Sequence, residues 1–308
     1  MTKVFIDGGA GTTGLRLKDR LKDREDIELL TLPDEYRKDI SHRKEMINNS
    51  DITFFCLPDD AAKEALTLVD NPNTVIIDTS TAHRTDERFI YGMPELLGQK
   101  ERIENAKRIT NPGCHASGFI ALVAPLTHFN IIKKDKVLSC FSLTGYSGGG
   151  KKMIADYESE NRDTLLEAPR VYGLSQSHKH LPEMQKYSGL ENNPVFLPTV
   201  APYYCGMEVL VPLSKDDIGI SLDELKTVYK DYYKSGLIRF CDNTDENGFL
   251  SANKLSYSDM MEISVVGNDE RIVLVSRFDN LGKGASGAAI QNMNIVLKQE
   301  MSLGLVVK

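Results

Sequence analysis

Cys114 lies in the segment Asn111-Pro112-Gly113-Cys114-His115-Ala116-Ser117-Gly118, directly ahead of an apolar run over 119–124. The Pro-Gly pair reads as a sharply turned loop and the apolar run as a helix, which puts the thiol at or next to a helix N-terminus. There the helix dipole and the unpaired N–H groups favour a thiolate and lower its pKa. The same N–H groups can hold an oxyanion. Cys56, Cys140, Cys205 and Cys241 are flanked by apolar or small residues and read as inert, packed thiols. A second reactive segment is Ser177-His178-Lys179-His180-Leu181-Pro182-Glu183. Two imidazoles so spaced are able to ligate zinc, but no third ligand stands at a recognisable spacing, so no metal is assigned. A Cys–His nucleophile and base fits better. Imidazole has a pKa near ~6.5 and exchanges protons at neutral pH while a carboxylate orients it. The plain alternative is a pair of surface histidines in a loop, and spacing alone leaves both open.

Gly8-Gly9-Ala10-Gly11-Thr12-Thr13-Gly14 follows the run Val4-Phe5-Ile6-Asp7 and opens a helix-like stretch. Glycines at 8, 11 and 14 allow a tight turn, a close approach by a pyrophosphate and helix–strand packing, and the helix N-terminus meets the phosphate charge. The spacing is G-x-x-G-x-x-G rather than G-x-G-x-x-G, and its place after the first strand is what makes it a dinucleotide site. Thr12 and Thr13 belong to the same turn. The end of the second strand, Leu32-Pro33-Asp34-Glu35-Tyr36-Arg37-Lys38, offers both acidic and basic groups. A 2′-OH reader would be acidic and a 2′-phosphate reader basic. Arg37 and Lys38 favour NADP(H).

These residues need elements to hold them. Near-continuous apolar runs at 4–6, 27–30, 52–56 and 75–77 suit strands covered on both faces, hence a parallel sheet. Between the first two runs, Leu17 and Leu21 share one helix face. The βαβ order predicts a Rossmann-like, doubly wound α/β domain. After about residue 113 the rhythm changes. Strands are read at 136–142, 194–197, 207–213, 261–266 and 271–278, separated by long loops, which suits an α+β domain with a mixed or antiparallel sheet. A last helix is read over 285–299. The 308 residues are enough for two cores. A net charge of −7 without a basic stripe argues against nucleic acid as a partner. No apolar run reaches the ~20 residues of a membrane span, and no cationic, apolar leader is read. Five widely spaced cysteines without a CxxC pair fit a reducing, cytoplasmic setting.

Taken together, these segments resemble N-acetyl-γ-glutamyl-phosphate reductase, in its shorter variety. The resemblance runs the whole chain. Besides the segments above it includes Cys56-Leu57-Pro58-Asp59-Asp60-Ala61-Ala62, Asp78-Thr79-Ser80-Thr81-Ala82-His83-Arg84, Gly145-Tyr146-Ser147-Gly148-Gly149-Gly150-Lys151 and Asn280-Leu281-Gly282-Lys283-Gly284-Ala285-Ser286-Gly287. The longer variety carries an aromatic where His115 stands. The resemblance implies Cys114 as nucleophile, His180 as acid/base with Glu183 orienting it, and His178 toward the substrate. It adds Ser80, Asn280 and Gly282 to the cofactor site, with the 280–284 loop returning the chain to the nucleotide domain beside the nicotinamide. Ser147 is implied at the substrate, and Arg84 and Lys151 are the cations expected to meet an anionic substrate in an acidic protein. The domains expected are 1–113 with 285–308 for NADP and 114–284 for catalysis and oligomerisation. A homo-oligomer, dimer or tetramer, is implied, built through sheets of the second domain. The reaction implied is reduction of an acyl phosphate to its semialdehyde through a thioester on Cys114. The rivals are an aspartate-semialdehyde dehydrogenase-like enzyme, an NADPH-sensing regulator without chemistry, which would need neither the cysteine nor the histidines, and a Cys-His-Glu hydrolase, which leaves the glycine loop unexplained.

Overall fold

The computed structural model describes residues 1–307. The chain divides into two compact units, Met1–Pro112 with Ala285–Leu305, and Gly113–Gly284 with the chain from Val306.

In the first unit six parallel strands, β1 (Thr2–Asp7), β2 (Ile27–Leu30), β3 (Ile52–Phe55), β4 (Val75–Asp78), β5 (Ile90–Tyr91) and β6 (Arg108–Thr110), lie in the order β2-β1-β3-β4-β6-β5. Their apolar runs are continuous because both faces are covered. Val4, Phe54 and Ile77 join one core with Leu17, Leu21, Ile290 and Met293, whereas Phe5, Phe55 and Ile76 join another with Ile47 and Ala65. The helices responsible are α1 (Thr12–Leu21), α2 (Ile40–Asn49), α3 (Asp59–Thr67), α4 (Gln99–Glu104) and the last helix, Gly287–Val296. The order reverses at β1, between β2 and β3, and at such a switch point the strand ends leave a crevice. The doubly wound reading holds. β5 and β6, of two and three residues, are too short to show as runs in the sequence.

The second unit is built on a mixed sheet of β7 (Ser139–Gly145), β8 (Arg170–Val171), β9 (Val195–Ala201), β10 (Met207–Ser214), β11 (Ile238–Phe240), β12 (Met261–Asn268) and β13 (Arg271–Phe278), in the order β11-β12-β13-β10-β7-β9-β8. β7 starts later than expected, because Lys136 N–H closes a turn onto the Lys133 carbonyl at 3.2 Å. β9 runs on past Pro198, whose carbonyl accepts from Tyr172 N–H at 2.9 Å. Against the sheet lies α5 (Cys114–His128), buried on every side from His115 to Thr127. A Cβ at Gly118 would lie 2.5 Å from Val209 Cγ2 and 2.7 Å from Ser276 Oγ, so glycine there lets the helix meet β10 and β13 closely. Pro125, inside α5, leaves the Ala121 carbonyl without its helical donor. Tyr233 Oη–H supplies one at 2.8 Å. The remaining helices are α6 (Gly150–Glu158), α7 (Leu181–Ser188) and α8 (Leu222–Tyr232).

The tail departs from the expected division. Val306 N–H donates to Asp259 Oδ2 and Asp259 N–H to the Val306 carbonyl, both at 2.8 Å, which ties the chain from Val306 to the second unit. The last helix is shorter than expected, since a π-turn at Gly282–Ser286 precedes it and Lys298 leaves it at φ 56°. Among the described residues, no helix is long and apolar enough to cross a membrane.

Candidate active site

The glycine loop follows β1 at the switch point. Gly8 sits at φ +86°, and a Cβ there would lie 2.3 Å from the Cys56 carbonyl oxygen just past β3. A Cβ on Gly14 would come within 2.7 Å of the Gly8 carbonyl oxygen. Both positions therefore exclude a side chain. Gly11 N–H closes the loop on Gly8 O at 3.0 Å, and Gly11 is the N-cap of α1, on which Thr12 and Thr13 begin. A cavity of about 710 Å³ opens here, lined among others by Gly8, Gly11, Lys18, Arg37, Lys38 and Arg43. Arg43 is held by Asp7 at 2.9 Å and Glu64 at 3.1 Å. Burial pushes the Asp7 carboxyl up against the opposing pull of that guanidinium. A glycine cradle at a helix N-terminus with basic side chains along the same cavity fits a dinucleotide bearing an extra phosphate. Ser80 lies outside this lining. In the turn after β4 its N–H and hydroxyl donate to Asp78 at 2.8 and 2.9 Å, and Asp78 also holds His83 Nδ1 at 2.6 Å.

In the second unit Gly113 is the N-cap of α5 in extended conformation, so Cys114 is the first helical residue, and it is half-buried. The loop is fixed by Gly113 N–H donating to Glu183 Oε2 at 3.1 Å, from a carboxylate that is itself buried on α7. A Cβ on Gly284 would lie 2.9 Å from Cys114 Cβ, so the Gly-Lys-Gly segment runs against the cysteine. The other thiols are inert by environment: burial pushes Cys56 up to about 12, Cys205 to about 11, and raises Cys140 and Cys241 as well.

His180 is the N-cap residue of α7 and is buried, and Pro182 occupies the first turn, where its missing N–H costs no bond. The His178 and His180 rings are 4.7 Å apart, centroid to centroid. His180 N–H donates to His178 Nδ1 at 3.2 Å, which leaves Nε2 as the protonated nitrogen of a neutral His178 ring. The His115 ring lies 5.6 Å from His180 and 5.8 Å from His178, so three imidazoles gather at the cysteine's end of α5. Among the described residues, no group of His, Cys, Asp and Glu side chains is arranged to hold a metal ion.

A family model described as semialdehyde dehydrogenase, dimerisation domain, matches residues 114–280, and one described as semialdehyde dehydrogenase, NAD binding domain, matches 33–106. N-acetyl-γ-glutamyl-phosphate reductase 2 of Nostoc sp. (strain PCC 7120) is 41% identical, with 98% of this chain and 99% of that protein covered. The reductase of Rhizobium meliloti is 42% identical, with 96% and 98% covered. The chain belongs to the N-acetyl-γ-glutamyl-phosphate reductase family. Among solved structures it is similar to aspartate semialdehyde dehydrogenase II of Vibrio cholerae (TM-score 0.70, 15% identity, 97% and 98% covered). It is likewise similar to aspartate semialdehyde dehydrogenase with NADP from Candida albicans (TM-score 0.72, 15% identity, 97% and 99% covered). These two likenesses establish the shared fold.

Several residues of the expected site also make contacts within the protein. Arg84, expected at an anionic substrate, is buried, and its Nε and Nη2 donate to the carbonyls of Asn111 and Thr79 at 3.0 and 3.2 Å, bracing the loop ahead of the cysteine. Ser147, also buried, accepts from Asn280 Nδ2 at 3.0 Å, while Asn280 Oδ1 accepts from Gly206 N–H at 3.0 Å. Those bonds tie the loop after β7 to the end of β13, within the second unit. Gly282 is needed for packing: a Cβ there would lie 2.3 Å from Ser258 O. Lys151 is exposed in the first turn of α6. His115 and Tyr172 complete the cluster, the first without an assigned role in the sequence and the second unmarked there. Adjacency to Cys114 was a signal for the first; a tyrosine six residues before His178 offered none.

Proposed function

We propose that the chain reduces N-acetyl-γ-glutamyl phosphate to N-acetylglutamate 5-semialdehyde, with release of phosphate, and that Cys114 carries the acyl group. The observation that bears most weight is the meeting, within one unit, of a cysteine opening α5 and two histidines opening α7. The Cys114 sulfur attacks the acyl carbon, the carbon–oxygen bond to phosphate breaks, and a thioester remains. N–H groups of the first turn of α5 face the oxygen that gains charge. Bound NADPH supplies the hydride, two electrons to the thioester carbon. As the carbon–sulfur bond then breaks, the aldehyde leaves and the thiolate returns. His180 gives the proton to the developing oxyanion and takes it back, and His178 holds the substrate. Glu183, through Gly113 N–H, keeps the cysteine loop in register with α7. Lys151 is one cation for the substrate's anionic groups.

Arg37 and Lys38 read the 2′-phosphate. The match of residues 114–280 to a model described as a dimerisation domain supports a homo-oligomer, dimer or tetramer, assembled through the second unit's sheet. All five cysteines are free, in keeping with a cytoplasmic setting. The 41–42% relatives favour this reading over an aspartate-semialdehyde dehydrogenase. Its test is a single turnover with the acyl phosphate and no NADPH. About one phosphate per site should be released at once, with an N-acetylglutamyl mass increment on the Cys114 peptide and neither with Cys114→Ser. Phosphate release by the serine variant at the parent rate contradicts it.

A further inference from the structure

His115 carries an arrangement that the reaction above leaves unused. Its Nδ1 is 2.7 Å from Ser142 Oγ on β7, and its Nε2 is 2.7 Å from the hydroxyl of Tyr172, just past β8. Phe196 packs on the ring at 5.4 Å, and the Tyr172 ring lies 5.8 Å from that of His178. Burial, with His178 second, holds His115 down at about 3, so the ring is neutral and has a single proton to share between its two partners. Burial, with the charge of Cys114 second, pushes the Tyr172 phenol well above its ordinary value. That phenol stays protonated near the thiol and is a donor throughout the neutral range.

We propose that His115 is a positioning residue acting through Tyr172: its Nε2–H anchors the phenol oxygen, so that the Tyr172 O–H is left to donate to the Cys114 sulfur. The inference rests on the reading of Cys114 as nucleophile. Ser142 completes the chain by donating to Nδ1, which leaves Nε2 as the protonated nitrogen. A neutral donor stabilises the thiolate without adding a cation beside the imidazoles that must exchange a proton. A charged His115 ring 5.6–5.8 Å from His178 and His180 would instead oppose a positive charge on either.

Tyr172→Phe removes the hydroxyl and keeps the ring. Iodoacetamide alkylation of Cys114 in the variant should show its pH midpoint raised by about one unit, the size of one lost hydrogen bond to a charged group. kcat/KM for the acyl phosphate should fall about tenfold or more, carried by kcat. His178, His180, Glu183 and the buried Lys283 of the segment against the cysteine are unchanged in all variants. His115→Gln sets an amide near the Nε2 position, and His115→Asn sets one near Nδ1. The glutamine variant should keep most of the parent midpoint and rate. The asparagine variant should match Tyr172→Phe, and the two changes combined should go no further. An unchanged midpoint in Tyr172→Phe, or equal rate losses in both His115 variants at the parent midpoint, overturns the proposal and leaves the ring as packing alone. Alkylation needs no substrate, so the two failures separate. If Cys114 is not the nucleophile, Cys114→Ser retains turnover; if only this inference fails, the serine variant is dead and the midpoint ignores Tyr172.

Discussion

At the scale of single residues, two imidazoles divide the work. His180 is buried at the N-cap of α7, whereas His178 is half-buried with its Nδ1 taken by a backbone N–H. A buried ring suits proton transfer and a more open one suits a substrate contact. His180→Ala should therefore lower kcat and kcat/KM together, by roughly the 10²–10⁴-fold typical of general acid–base catalysis. His178→Ala should mainly raise KM. Steady-state kinetics of both variants decide it, and the opposite pattern swaps the roles. Much of this cluster was legible. Pro-Gly-Cys before an apolar run announces a helix start, whereas H-x-H-x-P-E shows the reactive side chains but not the helix that they open. What was not legible is long-range geometry: the contact of Gly284 with Cys114 and of Tyr172 with His115 joins residues far apart in the chain. The burial that turns Arg84 and Ser147 inward likewise depends on neighbours that the sequence does not bring together locally.

At the scale of elements, the segment between β2 and α2 and the β10–β13 pair carry separate expectations. Arg37→Ala with Lys38→Ala should weaken NADPH tenfold or more while leaving NADH nearly unchanged, since charge-assisted contacts are worth ~1.5–3 kcal/mol each. Binding titrations with the two cofactors check this, and equal losses contradict a phosphate contact. On β10, Glu208 faces Arg277 across the ladder to β13, and burial pushes its carboxyl up to about 7 from 4.5. Between those values the folded chain holds a proton that the unfolded chain has released. Stability is thus greatest below about pH 4.5 as far as this group is concerned, and it falls as pH rises through 7, by about 3 kcal/mol at most. Glu208→Gln should melt higher than the parent at pH 8 and near it at pH 5 in thermal unfolding scans. An equal change at both pH values contradicts the titration. The parallel strands were readable because covered strands need apolar residues on both faces, as Val4 and Phe5 show. β9 was cut short in the sequence by Pro198, a residue that ordinarily ends strands; the structure carries the strand through it to Ala201.

At the scale of the whole molecule, a nucleotide-binding unit and a cysteine–histidine unit in one chain make sense only if acyl capture and hydride transfer belong to one reaction. A regulator would need only the first, and a hydrolase only the second. The fold is shared with aspartate semialdehyde dehydrogenases at 15% identity, so substrate choice cannot be taken from architecture. The most direct measurement is NADP-dependent oxidation of N-acetylglutamate 5-semialdehyde by the purified protein, followed as NADPH formation with and without phosphate and beside aspartate semialdehyde. Turnover should require phosphate, prefer the N-acetylated substrate and disappear in Cys114→Ser. Equal or greater turnover of aspartate semialdehyde, or NADPH formation that ignores phosphate, would contradict the proposed reaction.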